Sequence, residues 1–438
     1  MKTRWGKRLA AIAMALTLCA SAQAACAQTL RIANMGDEMY DEAFQAANPG
    51  AQVEHVHSES FGLQGIIHDV LSRDSRIDLY ELSTGYLFSE LKKGGYVEDL
   101  TPYAGIAEGI SRFDPKVQAV LRSGEALLAV PYEVYVRNWA VNRPLWDEYG
   151  LGELPTTYLE LIEQCIAWNE EYADEEVCLF SQQNMPGELL NSVMDVYIAE
   201  FEGTGDALDF DTPAFRDTMD ALLRLRPYAQ EDAYKEAILT NYAWRFGERD
   251  NPALRMVLPP RVYPQGKSVV QVNARVLVVN PQSENKELAA VYLRTVLQEM
   301  PPEMAAQLTA DAGEGIEWPW YERSQAELAE EIGELEALLS TAAEDKREEI
   351  ERELESLRAQ AADEEQRWQV TAQERRDYSE LFAYASFGEG GAIGNGDIET
   401  LESLYGLGAQ FLDGHMTSGE LVRALNQRVR MIYDERID

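Results

Sequence analysis

Histidine and acidic side chains near the N-terminal third could bind a metal. His55 and His57 are two residues apart in a predicted strand, so their side chains share one face, and Glu59 continues the alternation. His68 lies close by in the sequence. These residue types bind transition metals, but the spacing completes no established ligand motif. We therefore expect strand-end histidines and no metal site.

Motifs for covalent or phosphate chemistry are missing from the chain. There is no G-x-S-x-G, no H-E-x-x-H and no supported cysteine–histidine pair. The glycine-rich stretch 387–397 does not complete G-x-G-x-x-G and has no Lys-Ser/Thr after it, so we interpret it as a connector. With 76 acidic residues, carboxylate pairs occur everywhere and nominate no acid–base couple. We expect no catalysis and no cofactor.

Aromatic side chains point to a different chemistry. They cluster around predicted strand ends at Tyr86, Tyr132, Tyr135, Trp139, Tyr242 and Trp244. Aromatic faces beside amides and carboxylates suit the apolar faces and hydroxyl groups of a sugar. Core packing is the alternative for each of them, and the sequence leaves it open.

The stretch 125–142, EALLAVPYEVYVRNWAVN, organises the elements that would position these residues. Two extended runs flank Pro131, which cannot donate to a strand ladder. The pattern predicts one strand leaving a sheet and another entering a neighbouring lobe, with an ordinary edge strand as the alternative. Residues 269–279 form a second long extended run and are interpreted as the return crossing.

The elements on either side predict an α/β protein with two domains. Strands at 29–34, 53–57 and 77–82 alternate with short helices, which is typical of a largely parallel sheet. Ligands bind such sheets beyond the carboxyl ends of the strands. A chain of 438 residues also exceeds one hydrophobic core, which stops growing near about 250–300 residues.

The segment 324–368 has a different character. Leu328, Ile332, Leu335 and Leu339 are spaced for one helical face, and Ile350, Leu354, Leu357 and Ala361 repeat that spacing. We predict an antiparallel helical hairpin, with one long helix as the alternative. Its stripes are expected to pack on each other or on a lobe, and a docking role stays open.

The overall charge excludes some partners. The formal net charge is −38, and removal of residues 1–27 would take away four basic residues and no acid, giving −42. Such a chain repels phosphate backbones and anionic lipid surfaces, so we expect no nucleic-acid binding.

Residues 1–27 are interpreted as an export signal. A basic start precedes the apolar run 9–20, which is too short for a stable membrane anchor, and small residues follow. Cleavage could follow Ala24 or Ala27. A degenerate lipobox ending at Cys26 is the alternative, which would tether the exported protein through a lipid. The sequence favours the unlipidated form slightly.

Two cysteines remain after such processing, Cys165 and Cys178. An even number in an oxidising compartment predicts a disulfide between them, and two buried thiols are the alternative.

Several stretches together resemble the extracellular solute-binding proteins of family 1, the sugar-type receptors of ATP-binding-cassette importers. The matching segments, which span nearly all of the mature chain in the family's order, are 44–53, 78–80, 91–102, 124–131, 141–142, 149–161, 280–289, 411–414 and 421–435. The sequence departs from the family's pattern in two features, a short first helix and the added hairpin, and both bear on which ligand is bound.

The resemblance implies a two-lobe periplasmic-binding-protein-like α/β fold of type II with an inserted helical hairpin. Lobe I would comprise 28–131 and 272–300, and lobe II 132–271 and 301–438, with the 324–368 hairpin inserted in lobe II. The ligand-binding residues would be Ser83, Thr84, Gly85, Tyr86, Tyr132, Asn241, Tyr242, Trp244 and Asn273.

The implied function is capture of a small solute, a sugar or oligosaccharide, in an interlobe cleft and delivery to the permease subunits of an importer. The protein would be a monomer, periplasmic or extracellular. Alternatives left open are a secreted carbohydrate-active enzyme, a sensory or docking module, and a receptor for a peptide, polyamine or metal.

Overall fold

The computed structural model describes residues 28–33, 35, 38–56, 63–180, 185–202, 207–229, 235–244, 253–317, 319–341, 344–367, 369–387 and 398–435. The proposed export signal, with Cys26, lies outside these residues. Among the described residues no helix combines the length and the apolar character needed to cross a bilayer.

Strands and helices alternate in the first half of the chain, and helices dominate the end. The strands are β1 Gln28–Ala33, β2 Ala51–Val56, β3 Leu79–Ser83, β4 Arg122–Ser123, β5 Ala126–Leu127, β6 Val130–Asn142, β7 Val177–Phe180, β8 Glu236–Trp244, β9 Leu254–Val257, β10 Val270–Val279, β11 Ile316–Glu317, β12 Gln369–Val370 and β13 Ala385–Phe387. The helices are α1 Asp41–Ala47, α2 Leu63–Leu71, α3 Tyr86–Gly94, α4 Ile106–Ile110, α5 Pro115–Val120, α6 Arg143–Glu148, α7 Tyr158–Glu171, α8 Met185–Glu202, α9 Pro213–Leu225, α10 Lys286–Gln298, α11 Pro302–Thr309, α12 Pro319–Thr341, α13 Glu344–Arg367, α14 Ala372–Phe382, α15 Ile398–Leu412 and α16 Ser418–Glu435.

The main sheet has the strand order β2-β1-β3-β10-β6-β8-β7, with β9 paired to β6 and β13 to β10. β1 is parallel to β2 and β3, and β10 runs antiparallel to β3 and β6. β7 and β8 are again parallel. The α/β architecture predicted from the alternation is confirmed. The sheet is mixed rather than largely parallel, because the crossing strands β6 and β10 run antiparallel to most of their neighbours.

The crossing at β6 differs from the prediction in one respect. Pro131 does not separate two strands, because β6 is continuous from Val130 to Asn142. Its ladder with β10 shifts register where Val276 pairs with Pro131 and Arg275 with Glu133, so Tyr132 is an extra residue on β6. A bulge of this kind accommodates the missing N–H of a proline inside a sheet.

Two separate hydrophobic cores lie along the crossing strands. The first contains Val134 and Val136 of β6 and most of β10, packed with the elements before residue 130. The second contains Trp139 and Val141 of β6 with α7, α8, α9, α15 and α16. The single strand β6 therefore passes from the first core to the second between Val136 and Val141, where Ala140 still packs in the first core and Trp139 in the second.

The C-terminal part of the chain is divided between these cores. Ala306 and Leu308 of α11 and Tyr378 and Phe382 of α14 pack in the first core. The predicted division placed all of 301–438 in lobe II, so the packing differs from it for 301–310 and 370–382. The sequence could not show this, because α11 and α14 are amphipathic helices. The apolar stripe of such a helix indicates that one face is buried, but not which of the two cores it covers.

The helical hairpin is confirmed, as α12 and α13. Leu328, Ile350 and Leu354 are buried between the helices. Across the pair, Gln325 Nε2 donates to the Ala361 carbonyl at 3.3 Å, and Arg358 pairs with Glu336 at 2.6 Å. These contacts exclude the single long helix.

The predicted disulfide is wrong for this structure. Cys165 and Cys178 are both buried and carry no disulfide. Cys178 Sγ approaches the Lys235 carbonyl at 3.8 Å, and Cys165 packs in the second core. Burial raises the pKa of the Cys165 thiol, which disfavours the thiolate that disulfide formation requires. Closeness in sequence did not bring the two thiols into a bond.

A buried carboxylate joins β3 to the end of β10. Asp78 is 1% exposed and accepts hydrogen bonds from Arg31 N at 2.8 Å and Ser283 Oγ at 2.5 Å. Asn280 N in turn donates to the Asp78 carbonyl at 2.9 Å. Buried polar groups need such partners, and these fix the strand ends against each other.

Candidate functional site

One face of the crossing strands is polar. On β10, Val272, Ala274 and Val276 are fully buried, whereas Gln271, Asn273 and Arg275 alternate with them and are half-buried. Because side chains alternate along a strand, these three share the opposite face. The paired positions on β6, at Glu133 and Tyr135, and on β3, at Glu81 and Ser83, extend this polar face across three strands.

Arg275 is the centre of a charged cluster on the polar face. Its Nε lies 3.5 Å from Glu133 Oε2 and 3.6 Å from Glu81 Oε1. The Tyr135 hydroxyl donates to Glu133 Oε2 at 2.5 Å, and the guanidinium carbon is 5.2 Å from the Tyr135 ring centroid. The cluster fixes the rotamers of these side chains on the strands that join the two cores.

A cavity of about 370 Å³ lies where α8 meets the crossing strands. Its lining residues are Trp139, Tyr158, Glu188, Asn191, Ser192, Asp195, Val196, Pro259, Val269 and Gln271. This volume is near the lower end of the usual range of ligand pockets, roughly 300–1,000 Å³. Gln271 belongs both to the cavity and to the polar face, so the two surfaces are continuous.

Helix α8 supplies the polar wall of the cavity. Glu188, Asn191, Ser192 and Asp195 follow i, i+3, i+4 and i+7 spacing, so they share one face of the helix. The other faces carry buried apolar residues such as Leu189, Val193 and Tyr197. The stripe runs from an exposed rim at Glu188 and Asn191 to a buried floor at Asp195, which is 8% exposed.

Aromatic side chains form the apolar wall. The Trp139 ring stacks on Phe180 with centroids 5.1 Å apart and meets Tyr158 edge-on at 5.9 Å. Tyr158 begins α7 just after Thr157, whose side chain caps the helix. Burial raises the pKa of Tyr158, so its hydroxyl stays protonated. Trp139 and Tyr158 are only 2% and 1% exposed, so this wall of the cavity is formed by tightly packed aromatic side chains.

The carboxylates differ in their surroundings. Asp195 accepts a hydrogen bond from the Tyr405 hydroxyl of α15. Desolvation raises the pKa of Glu188 at the rim. Both groups can accept hydrogen bonds from the hydroxyl or amine groups of a ligand.

A buried glutamate holds the loop that closes the far side of the cavity. Glu200 accepts from Val262 N at 3.2 Å and Tyr263 N at 2.8 Å, and burial raises its pKa to about 7. Gly266 packs against this carboxylate so closely that a Cβ would lie 2.9 Å from Glu200 Cδ. The loop that carries Pro259 is thereby attached to the same helix as the polar stripe.

The sequence-predicted residues of the first lobe separate into two groups. Ser83 is exposed and pairs with Arg275, which places it on the polar face. Thr84 is buried, and its backbone N–H and its Oγ1 both bond Ala274, at 2.9 Å each. Gly85 is also buried and precedes α3. Tyr86 begins that helix, and its side chain lies outside the described residues.

The two predicted ligand-binding residues on the crossing strands have different surroundings. Tyr132 is 1% exposed and packs in the first core, and burial together with the nearby Glu81 raises its pKa. Asn273 pairs with Tyr135 on the polar face. Tyr132 is therefore a core residue, whereas Asn273 belongs to the polar face.

Asn241, Tyr242 and Trp244 lie on β8, and their backbones pair with Trp139, Asn138 and Val136 of β6. Their side chains lie outside the described residues, so contact with a ligand stays a prediction for all three.

Sequence reasoning missed the stripe on α8 and the Arg275 cluster. The stripe's spacing is visible in MPGELLNSVMDVYIAEFE, where the polar residues interrupt an otherwise apolar helix. A polar stripe on a helix usually faces solvent, and the sequence alone does not show that a cavity lies in front of it.

The structure describes two of the three histidines that were considered as metal ligands. His55 Nε2 lies 2.7 Å from Asp41 Oδ2, and His68 is exposed, with 79% of its side chain accessible. His57 and Glu59 lie outside the described residues. Within the part of the chain that the structure describes, no group of three His, Cys, Asp or Glu side chains could hold a metal ion.

Comparison with known proteins identifies solved structures that share this fold. No protein-family model matches the chain, and no curated protein matches it. Among solved structures, maltose-bound MalE3 from T. maritima is similar over 93% of this chain and 100% of its own, with 15% identity and a TM-score of 0.58.

Two further structures show the same likeness. An ABC substrate-binding protein from Listeria monocytogenes in complex with cycloalternan covers 92% of this chain and 98% of its own, at 13% identity and a TM-score of 0.58. The GacH receptor of Streptomyces glaucescens, solved with and without acarbose, has the same identity and coverages and a TM-score of 0.55. The predicted two-lobe binding-protein fold is confirmed.

Proposed function

We propose that the protein is an exported receptor that captures a small sugar or oligosaccharide in the cavity between α8 and the crossing strands. The observation that carries this proposal is the cavity itself, which is lined by the aromatic side chains of Trp139 and Tyr158 and by the amide, hydroxyl and carboxylate groups of the α8 stripe. Sugars present apolar ring faces and hydroxyl edges, so this pairing of walls matches them. Structures of the same fold hold maltose and cycloalternan.

The captured sugar would be delivered to the permease subunits of an ATP-binding-cassette importer, without chemistry. Solved neighbours are named as a substrate-binding protein and a receptor, which supports binding rather than catalysis. We propose that the receptor acts as a monomer outside the cytoplasm, with the lipid tether at Cys26 as an open alternative.

We propose a lobe division that follows the two cores. Lobe I would contain 28–136, 270–317 and 369–387, together with β9, whose Leu254 and Met256 pack in the first core. Lobe II would contain 139–244, 257–262 and 398–435, and the hairpin would project from lobe I. Ligand binding would close the lobes by bending β6 and β10. Closure requires the sugar to contact both lobes, since only differential contact shifts such an equilibrium.

Isothermal titration calorimetry against a panel of mono- and disaccharides tests this function. We expect saturable binding of at least one sugar with one site per chain, and unchanged sugar on chromatography afterwards. Cleavage of the sugar would favour the secreted enzyme. Failure of every sugar to bind would exclude the proposal.

We predict that Trp244→Ala weakens sugar binding by about 1–3 kcal/mol, the usual effect of losing one aromatic anchor. Calorimetric titration and thermal melts of the same preparation separate binding from packing. Unchanged affinity with a strongly lowered melting temperature would make Trp244 a packing residue instead.

We predict that removing the hairpin leaves sugar affinity unchanged. β11 and β12 pair antiparallel, with Glu317 opposite Gln369, so an Asn-Gly turn can replace 318–368 and close a two-residue hairpin. No described lining residue of the cavity belongs to the deleted segment. A folded deletion variant that no longer binds sugar would show that the hairpin helps to form the site.

A further inference from the structure

The short strand β13 lies along β10 next to the cavity. Its Ser386 pairs with Gln271 in parallel register. Val270 N donates to the Tyr384 carbonyl at 3.0 Å, so the ladder extends to Tyr384 and places this residue beside Val269. Val269 and Gln271 both line the cavity. Tyr384 is therefore the strand neighbour of a lining residue.

The side chain of Tyr384 lies on the cavity side of the sheet. Side chains alternate along a strand. Ala385 and Phe387 pack against the first core, so Tyr384 and Ser386 face the opposite side. That side is the polar face to which Gln271 belongs.

The edge of the cavity has apolar surface that is open to solvent. Among the side chains that the structure describes, Tyr384 is the most exposed aromatic one, at 44%. Leu258, which is 39% exposed, directly precedes the lining residue Pro259. Trp139 and Tyr158 inside the lining are instead buried. The ring surface that a ligand can cover at this site is therefore that of Tyr384.

Lys116 holds the backbone on both sides of Tyr384. Its Nζ donates to the carbonyls of Phe382 at 3.0 Å, Ala383 at 2.7 Å and Ala385 at 3.3 Å. An ammonium group has three donors, which match the three carbonyls of this connection between α14 and β13. A tyrosine on a backbone fixed in this way loses little conformational freedom when a ligand covers its ring.

We propose that Tyr384 is a stacking platform for a second sugar ring at the edge of the cavity, so that the preferred ligand has two or more rings. This inference rests on the proposed function. One ring lies in the cavity against the α8 stripe, and the next ring covers the exposed face of Tyr384. Lys116 is a positioning residue that acts through Tyr384. Because the stripe belongs to lobe II and Tyr384 to lobe I, a two-ring ligand contacts both lobes, as closure requires.

Calorimetric titration with two sugar series tests the inference. The probes are glucose, maltose and maltotriose, and xylose, xylobiose and xylotriose, which differ within each series only in the number of rings. In at least one series we expect the two-ring sugar to bind about tenfold or more tightly than the single ring, because the second ring gains an aromatic contact.

Tyr384→Ala should weaken binding of the two-ring sugar by about 10- to 30-fold and change monosaccharide affinity by less than about twofold. Tyr384→Phe keeps the ring and should bind the two-ring sugar within about threefold of wild type. Because Tyr384 is exposed, the melting temperatures of both variants should stay close to that of wild type.

Tyr228→Ala is the matched control. Tyr228 bonds Glu170, which lies at the far end of α7 from the lining residue Tyr158, roughly 18 Å away along the helix. This variant should leave both affinities unchanged.

A double-mutant cycle tests the role of Lys116. Lys116→Met should weaken binding of the two-ring sugar by about threefold or more, and it should cause no further loss when Tyr384→Ala is already present. A merely structural role of Lys116 would lower the affinity in both backgrounds and would contradict its assignment as a positioning residue.

The outcomes separate this inference from the proposed function. A two-ring sugar that binds no more tightly than its monosaccharide, or that binds Tyr384→Ala as tightly as wild type, would overturn the inference and leave the sugar-receptor function intact. Equal losses of monosaccharide and two-ring affinity in Tyr384→Ala would also overturn it, as would no binding by any of the six sugars. Failure of every sugar in the wider panel would overturn both.

Discussion

Replacing Asp195 with asparagine is expected to weaken sugar binding by roughly 10- to 100-fold. Asp195 lies on the floor of the cavity, 8% exposed, on the helix that bears the polar stripe. Hydrogen bonds to a charged acceptor contribute about 1.5–3 kcal/mol, which corresponds to this loss of affinity. Asparagine keeps the shape and one acceptor oxygen, so the fold should be nearly as stable. Titration calorimetry of the variant gives the affinity directly.

The matched control for Asp195→Asn is Tyr405→Phe. The Tyr405 hydroxyl donates to Asp195, but Tyr405 is outside the cavity lining. The control should therefore lower sugar affinity much less than Asp195→Asn. Equal affinity of wild type and Asp195→Asn for every sugar that binds would place the ligand elsewhere in the molecule.

A second large effect is expected from Glu303→Gln, on stability. Glu303 is 1% exposed at the start of α11, and among the described residues its carboxylate has no partner beyond its own backbone N–H. Burial raises its pKa to about 7 from an ordinary 4.5. A difference of this size corresponds to about 3 kcal/mol between the two protonation states.

The sign of the pH dependence follows from that shift. Between about pH 4.5 and 7 the folded state binds more protons at Glu303 than the unfolded state, so the free energy of unfolding falls as pH rises. The destabilisation is absent below this window and complete above it. Glu303→Gln should remove it, raising stability at pH 8 by up to about 3 kcal/mol and changing it little at pH 4.5.

Urea denaturation at the two pH values measures this effect. Glu200→Gln is the contrasting variant, because Glu200 has the same raised pKa but accepts from Val262 N and Tyr263 N. Glutamine has an NH₂ group, which only donates, in place of one carboxylate oxygen, so one of these two bonds is lost and Glu200→Gln should lower stability at pH 8. A Glu303→Gln protein that is less stable than wild type at pH 8 would contradict the account of Glu303.

Local patterns predicted much of the fold. The spacing of leucine and isoleucine along 324–368 predicted the hairpin, because each helix buries its own stripe against the other. The extended run 269–279 predicted β10 almost to the residue. Both features depend on periodicity within one segment, which a single sequence displays.

What the sequence did not show depends on contacts between distant segments. Thr84 was expected at the ligand, but it bonds the backbone of Ala274 across the sheet. Cys165 and Cys178 are close in sequence, yet both remain buried thiols. The polar residues of α8 are visible at helical spacing, but only packing decides whether such a stripe faces solvent or a cavity.

A crystal structure of the protein with its tightest-binding sugar tests the central claim most directly. We predict density for the sugar in the cavity, in contact with Trp139 or Tyr158 and with polar atoms within hydrogen-bond distance of Asp195 and Gln271. Sugar density outside this cavity, with the α8 stripe contacting only solvent, would contradict the account.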